Sequence, residues 1–497
     1  MTLVDVLPSL RTSLPQRLEP DLWPYTARRV GPELYVGEVS LSALAQRYGT
    51  PCYVLDEKDV RRRCGEYRAA FGEGAVSYAA RAFTSGRLVR WMAEEGLGLS
   101  VCSAGELAVA RGVGFPAERL TMHGDAKTPV DLRAATECRV GRVVVTSLQE
   151  ISRLATEGRG RRQKVLLRVL LGPAMPGATG LPAAPDEERF GLSAGTEELD
   201  EAVRRVTAQP GLELVGLDYF LGSQAARFGG YEQALRRMLA VMADLSHRFG
   251  CTLSELNLGG GFAVPYRYGE DGFAVEAFAS RWPGVVRVEC ERLGIPMPRL
   301  TATPGRALVA RAGVALYRVL GIRHDTAGHQ LVAVDGGLSD NPRPALYGAR
   351  YTPALIGRYP TVADRPTTVV GRHGESGDVI ARDVPLPGDL HPGDLLAVAD
   401  CGAYHHSMAS NYNLVTRPPV VSVRDGQTRV MIRRETIDDL LARDPDLAAV
   451  RIAGEAQGRP MGRRAERRSE RSMDRAIIPA VPRSNAGRVR PVKRLAS

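Results

Sequence analysis

A chain of 497 residues and 53.7 kDa exceeds one ordinary hydrophobic core, so two domains plus tails are expected. Hydrophobic residues at 44%, charged residues at 25% and a mean hydropathy of -0.16 exclude a fully disordered chain and one with many membrane spans. The formal net charge of +10 resides mostly in Gln457–Ser497, which holds 12 Arg or Lys against three acids, so the rest of the chain is nearly neutral.

The start, MTLVDVLPSLRTSLPQRLEPDLW, lacks the basic and apolar regions of a secretory signal, and no run of about 18 apolar residues occurs. The expectation is a cytoplasmic protein with no membrane contact. Seven cysteines (52, 64, 102, 138, 251, 290 and 401) are scattered without a CxxC pair, which indicates neither a disulfide framework nor a zinc site. They read as buried thiols. Eight histidines form no ligand-spaced cluster, so no metal is expected.

From about residue 45 to 310, short apolar runs alternate with longer amphipathic segments, the pattern of parallel strands with crossover helices. The runs are AVSYAA, LGLSVCS, RLTMHG, RVVVTS, KVLLRVL, LVGLDYFLG, ELNLGGG and RLTATPGR. Eight strands close a (β/α)8 barrel, and functional groups then belong where strands end. SAGELAVARGVG carries the Ser103-Glu106 spacing of a capping box before an apolar helix face. Residues 311–445 change to strand-like runs between Pro and Gly turns, such as HQLVAVDGG and TRVMIRR, and predict a separate β-rich domain. The last stretch, 446–497, is basic and poor in aromatics; it reads as a solvated disordered tail, with RNA or an acidic partner as its alternative contact.

Three Gly-rich turns fall at ends of neighbouring barrel strands. NLGGGF brings Gly259 to Gly261, TPGR brings Gly305-Arg306, and GSQ adds the Ser223 hydroxyl. Each alone is more often a tight turn; together in a barrel they suit a phosphate-bearing ligand. In the second domain, VDGGLSDNPRPALYGARY, GESGD and DCGAYHHSMASNYN supply Arg343, Tyr347, Glu375 and Tyr404, types suited to carboxylate and ammonium recognition.

The ordered series SYAARAF, CSAGELAVA, HGDAK, RFGLS, GSQ, LNLGGGF, PGR, VDGGLSDNPRPALY, ESGD and GAYHHSMASNYN resembles the diaminopimelate decarboxylase family, alanine-racemase-like pyridoxal phosphate (PLP) enzymes. The resemblance covers about residues 30–430. It implies a PLP barrel, a β domain that also takes in residues 1–44, a dimer that shares its sites, and decarboxylation of meso-diaminopimelate to L-lysine. Ser223, Gly261, Gly305 and Arg306 fall where the family holds the cofactor phosphate, and Tyr404 where a tyrosine contacts the cofactor. Arg306, Arg343, Tyr347 and Glu375 fall where it grips the distal end of the substrate.

The reacting end departs from that pattern. Arg81 stands in place of the lysine that forms the Schiff base, and a guanidinium stays protonated at neutral pH. Phe220 replaces the histidine that stacks on the pyridine ring, and Thr303 the glutamate that keeps the ring nitrogen protonated. Gly374 replaces the cysteine implicated in reprotonation, and Ser100 a usual aspartate. Drift of lysine to arginine, in a chain with four lysines, does not explain the other losses. The reading is a catalytically impaired homologue that binds PLP non-covalently or not at all, an amino-acid ligand, or an active paralogue as a heterodimer partner. The alternative is a working decarboxylase that uses Lys127, four residues past His123 in the loop after the third strand.

Overall fold

The computed structural model describes residues 18–157, 162–172, 191–326 and 328–447. The basic tail beyond residue 447 and Arg189-Phe190 of the RFGLS motif lie outside the described residues.

All eight barrel strands form where the apolar runs stand: β1 Ser77–Ala79, β2 Gly98–Val101, β3 Leu120–Met122, β4 Arg142–Val145, β5 Gln163–Leu170, β6 Leu212–Asp218, β7 Glu255–Asn257 and β8 Arg299–Thr301. Each pairs in parallel with its sequence neighbour. A parallel bridge between Val76 and Ala302 closes the ring, with Ser77 N–H donating to Ala302 O at 2.9 Å. Helices cover the outside, so strands such as RVVV are buried on both faces and need no polar alternation.

Local capping sets where those helices begin. Ser85 and Thr196 accept from Leu88 and Leu199 N–H, and Thr128 with Asp131 forms a full capping box. The Ser103-Glu106 spacing gives only half of one. Ser103 Oγ accepts from Glu106 N–H at 3.2 Å, but the Glu106 carboxylate takes Cys102 N–H at 2.7 Å, fixing the end of β2 instead.

A second, mixed sheet lies beside the barrel. Its order is Val379–Pro387, Asp364–Val370, Gln330–Val334, Gly313–His324, Cys52–Asp56, Val420–Arg424 and Gln427–Ile432, with Leu395–Val398 and Pro353–Ile356 joined through Gly313–His324. Cys52–Asp56 thus pairs with Gly313–Leu316 and Val420–Val423, although the sequence alternation starts the barrel near residue 45. A run as uniformly apolar as CYVL looks alike in either sheet. The segment before it forms a three-stranded sheet whose Leu34, Val36 and Val39 share a core with Val314, Leu316 and Val421.

The two sheets meet where the chain leaves β8. Cys401 N–H donates to Gly313 O at 2.9 Å, and a Cβ on Gly313 would stand 2.1 Å from Gly402 N, so only glycine permits that crossing. This contact carries the 402–408 loop over the barrel mouth. Cys52, Cys64, Cys290 and Cys401 are buried as expected, whereas Cys102, Cys138 and Cys251 are only half-buried, lying at element ends rather than in the cores. Among the described residues no helix is long and apolar enough to cross a membrane, and no metal-ligand cluster occurs.

Candidate functional site at the barrel mouth

Directly after β1, a 3-10 turn spans Ala80–Ala82 and turns the Arg81 side chain to solvent. Burial opposes the charge, but the Tyr404 phenol, the Cys102 thiol and Asp125 outweigh that cost and keep the guanidinium firmly protonated. Tyr404 is fixed from the second domain of the same chain: its φ is +60° and its N–H donates to Ala82 O at 2.7 Å. Tyr404 thus reaches this mouth from within the same chain. The Gly313–Gly402 crossing delivers it within one chain.

Beside it, Arg306 lies 5.3 Å from the centre of the Tyr404 ring and donates to Ser223 Oγ at 3.1 Å. The Gly259–Gly261 turn joins neighbouring strand ends through Thr303 N–H to Gly259 O at 2.7 Å and Ala225 N–H to Gly261 O at 2.9 Å. Gly261 has φ +86°, and a Cβ there would stand 1.8 Å from Gly222 O. Any other residue would push the two loops apart. The N–H groups of Gly260 and Gly261 donate to no acceptor among the described residues. Two bare amides, a hydroxyl and a guanidinium converge, a donor set suited to an oxyanion. A Cβ on Gly305 would stand 3.1 Å from the Ala79 and Ala82 Cβ atoms, so this turn passes close beside the one that carries Arg81.

Deeper in the barrel, Thr303 is buried and its hydroxyl is engaged with the Asn257 amide at 3.1 to 3.2 Å. Asn257 Nδ2 donates to Asp218 at 2.8 Å, and Arg168 Nη1 reaches the other Asp218 oxygen at 2.9 Å. The Arg168 guanidinium lies 5.5 Å from the Phe220 ring centre. Burial pushes the Asp218 carboxyl up, and Arg168 counters it. His123 is held well below the usual histidine range by burial and by Arg168, Arg81 and Lys127; its Nε2 has no hydrogen-bond partner among the described residues.

Lys127 does not face this mouth as a free amine. Its ammonium is fully buried and bonds Glu150 at 2.8 Å, Gly124 O at 2.7 Å and Val144 O at 2.5 Å. Lys58 pairs with Asp425 on the surface, and Lys164 is exposed at the start of β5, the end remote from the mouth.

Arg343 is buried against the edge of the cluster, donating to Tyr266 Oη at 2.8 Å and Tyr351 Oη at 2.6 Å. Tyr266 also faces Arg306 at 5.8 Å, so it links the two arginines. Tyr347 is 67% exposed, and Gly374 and Glu375 lie on an exposed loop where Glu375 bonds Tyr412. Among the described residues, no contact brings these three to the barrel mouth within one chain. Sequence reasoning passed over Arg168, Asp218, Asn257 and Tyr266. The available signal was a lone charge within each apolar strand run, KVLLRVL and LVGLDY, where inward-facing charges need partners.

Residues 57–310 match the family model described as the pyridoxal-binding domain of pyridoxal-dependent decarboxylases. A diaminopimelate decarboxylase of Actinosynnema pretiosum subsp. auranticum is 50% identical over 89% of this chain and 100% of its own length. One from Mycobacterium tuberculosis is 43% identical, covering 86% and 98%. Among solved structures, diaminopimelate decarboxylase from M. jannaschii has a TM-score of 0.79 at 26% identity, covering 85% of this chain and 99% of its own. The Helicobacter pylori enzyme complexed with L-lysine gives 0.72 at 26%, covering 82% and 99%. Pyridoxal phosphate is the cofactor implied by this likeness. The chain belongs to the diaminopimelate decarboxylase family of pyridoxal-dependent decarboxylases.

Proposed function

We propose that this family member retains the means to hold pyridoxal phosphate and an amino-acid ligand but does not decarboxylate diaminopimelate. The phosphate end of the cofactor fits the residues present. Gly260 and Gly261 N–H, Ser223 Oγ and Arg306 supply donors, while Phe220 and Tyr404 offer ring faces. Arg306 and Arg343, joined through Tyr266, are suited to a ligand carboxylate. Tyr347 and Glu375 lie on exposed segments, and in this reading they serve the site of a second subunit of a homodimer, or of a heterodimer with an active paralogue.

The aldehyde end does not fit. The chemistry such a cofactor supplies is an electron sink for a carbanion, which requires covalent attachment and a protonated ring nitrogen. Arg81 offers only a protonated guanidinium, and the Thr303 hydroxyl, already engaged by Asn257, offers no carboxylate. The observation that carries the reading is Arg81 itself, at the end of β1. Lys127 gives no rescue, because all three of its ammonium protons face acceptors and moving it would strand Glu150.

The test is CO2 release from meso-diaminopimelate at saturating pyridoxal phosphate, with borohydride reduction and peptide mapping in parallel. The expected result is no turnover and no adduct. Turnover of about 1 per second or faster would overturn the reading, and an adduct on Lys127 that disappears with activity in Lys127→Ala would replace it by the active alternative.

A further inference from the structure

A second feature, away from the barrel mouth, lies on the outer seam between the two domains. The helix Gly86–Glu94 leaves the loop after β1 with Arg87 in its first turn, and Gln427–Ile432 is the outermost strand of the second sheet. Between them is a groove of about 530 Å3 lined by Glu57, Arg87, Arg424, Asp425, Gln427 and Arg429 among others. Three arginines there face two carboxylates, and both carboxylates are already taken. Glu57 accepts from Arg61 and Arg424, each at 2.8 Å, and Asp425 pairs with Lys58 and Arg424.

Arg87 and Arg429 are left with no ion-pair or side-chain hydrogen-bond partner among the described residues. Burial disfavours the Arg87 charge most, and Arg429 and Arg90 add repulsion that Glu57 and Glu94 offset only in part. This contrasts with the adjacent surface, where Arg61 alone engages three glutamates. Two guanidinium forks without a direct partner among the described residues, on one groove, form a receptor for a compact dianion, since each presents parallel N–H donors matched to a tetrahedral oxyanion. The Gln427 side chain, on the same wall, adds an amide.

We propose that this seam groove is a binding site for a phosphate dianion, free or as the phosphoryl group of a small metabolite. Occupation bridges Arg87 of the barrel to Arg429 of the second sheet and so ties the domains together from outside. The groove volume exceeds one phosphate and leaves room for the body of an ester.

The barrel mouth also offers phosphate donors, so the test uses the full chain with Ser223→Ala and Arg306→Ala as background. Inorganic phosphate and phenyl phosphate are titrated by calorimetry at millimolar concentration, with thermal melts alongside. Binding persists in that background and weakens about tenfold or more in Arg87→Gln and in Arg429→Gln, while Arg429→Lys keeps part of it. Tighter binding of the ester identifies a phosphorylated metabolite as the source; equal binding identifies free phosphate. Without phosphate, Arg429→Gln melts no lower than its parent, because it removes repulsion, and this shows that lost binding is not unfolding. Unchanged binding in both glutamine variants, or no binding once Ser223 and Arg306 are replaced, overturns the proposal.

Discussion

Two cations near the barrel mouth, Arg81 and Lys127, have opposite environments, and the difference decides what each can do. Lys127 is a structural ion pair in a water-free position with Glu150, which also accepts Thr146 N–H. Lys127→Ala leaves that carboxylate buried with its charge unpaired, and an expected loss of about 3 kcal/mol in urea unfolding follows. Arg81 is exposed in the open barrel mouth beside the Tyr404 phenol and Asp125, which a lysine ammonium can also face, so Arg81→Lys should fold normally. It restores a group that borohydride can fix to pyridoxal phosphate, yet CO2 release stays low because Thr303 supplies no carboxylate. Full turnover from that single change would show that Thr303 is not limiting. A third residue bears on acid stability. His405 is buried, its Nδ1 against Ala403 O and its Nε2 unpartnered, and burial with the nearby Arg343 lowers its pKa to about 3. Between that value and the unfolded value near 6.5, only the unfolded chain binds the proton, so stability falls as pH drops through this window. A loss of about 3 kcal/mol by pH 4 is expected; His405→Phe, which keeps the ring packed on Tyr53 and Tyr351, should flatten that part of the profile in chemical unfolding.

Among the elements, the loops after β6, β7 and β8 work as one unit because their backbones touch. Gly261→Ala would force its methyl into Gly222 O and also require an alanine at φ +86°. The expected outcome is at least a tenfold loss of pyridoxal phosphate affinity, about 1.4 kcal/mol or more, read by absorbance titration, with far-ultraviolet circular dichroism retained because the strands themselves are untouched. These strands were legible in the sequence for a simple reason. Each is a short, largely apolar run, and burial on both faces leaves no competing helical period. The same logic could not separate CYVLD from a barrel strand, since that segment is equally buried in the other sheet. Arg81, Phe220, Thr303, Ser223 and Arg306 were legible because position along a motif fixes them at strand ends. The Arg168–Asp218–Asn257–Thr303 chain was not, because partners 39 to 50 residues apart meet only when the barrel closes, and local pattern does not encode such pairing. Nor does the sequence say which copy of the chain supplies Tyr404; the close crossing of Gly313 and Gly402 does.

At the scale of the whole molecule, one chain gathers at its barrel mouth only part of the ligand-binding set proposed above. Arg306, Arg343 and Tyr404 stand around the mouth, while Tyr347 and Glu375 are solvent-exposed on the second domain. Glu375 is exposed, its carboxylate held among the described residues by the Tyr412 hydroxyl, and Tyr412 is itself exposed with Leu414 at 69% beside it. An exposed patch that combines Tyr347, Leu346, Tyr412 and Leu414 with an acid is costly in water and resembles half of an interface. The expected state is a dimer in which each second domain lays this loop over its partner's barrel. Sedimentation at micromolar concentration should give twice the chain mass of 53.7 kDa. Leu414→Asp should shift it toward monomer, since a charge placed in the covered patch must be desolvated without a partner. Affinity for lysine, the ligand of the related Helicobacter pylori enzyme, should fall in that variant in proportion to the monomer formed if the partner's loop supplies Glu375 as the ammonium acceptor. A wild-type chain that sediments as monomer while binding lysine unchanged by Glu375→Gln would show instead that the loop has no part in the site.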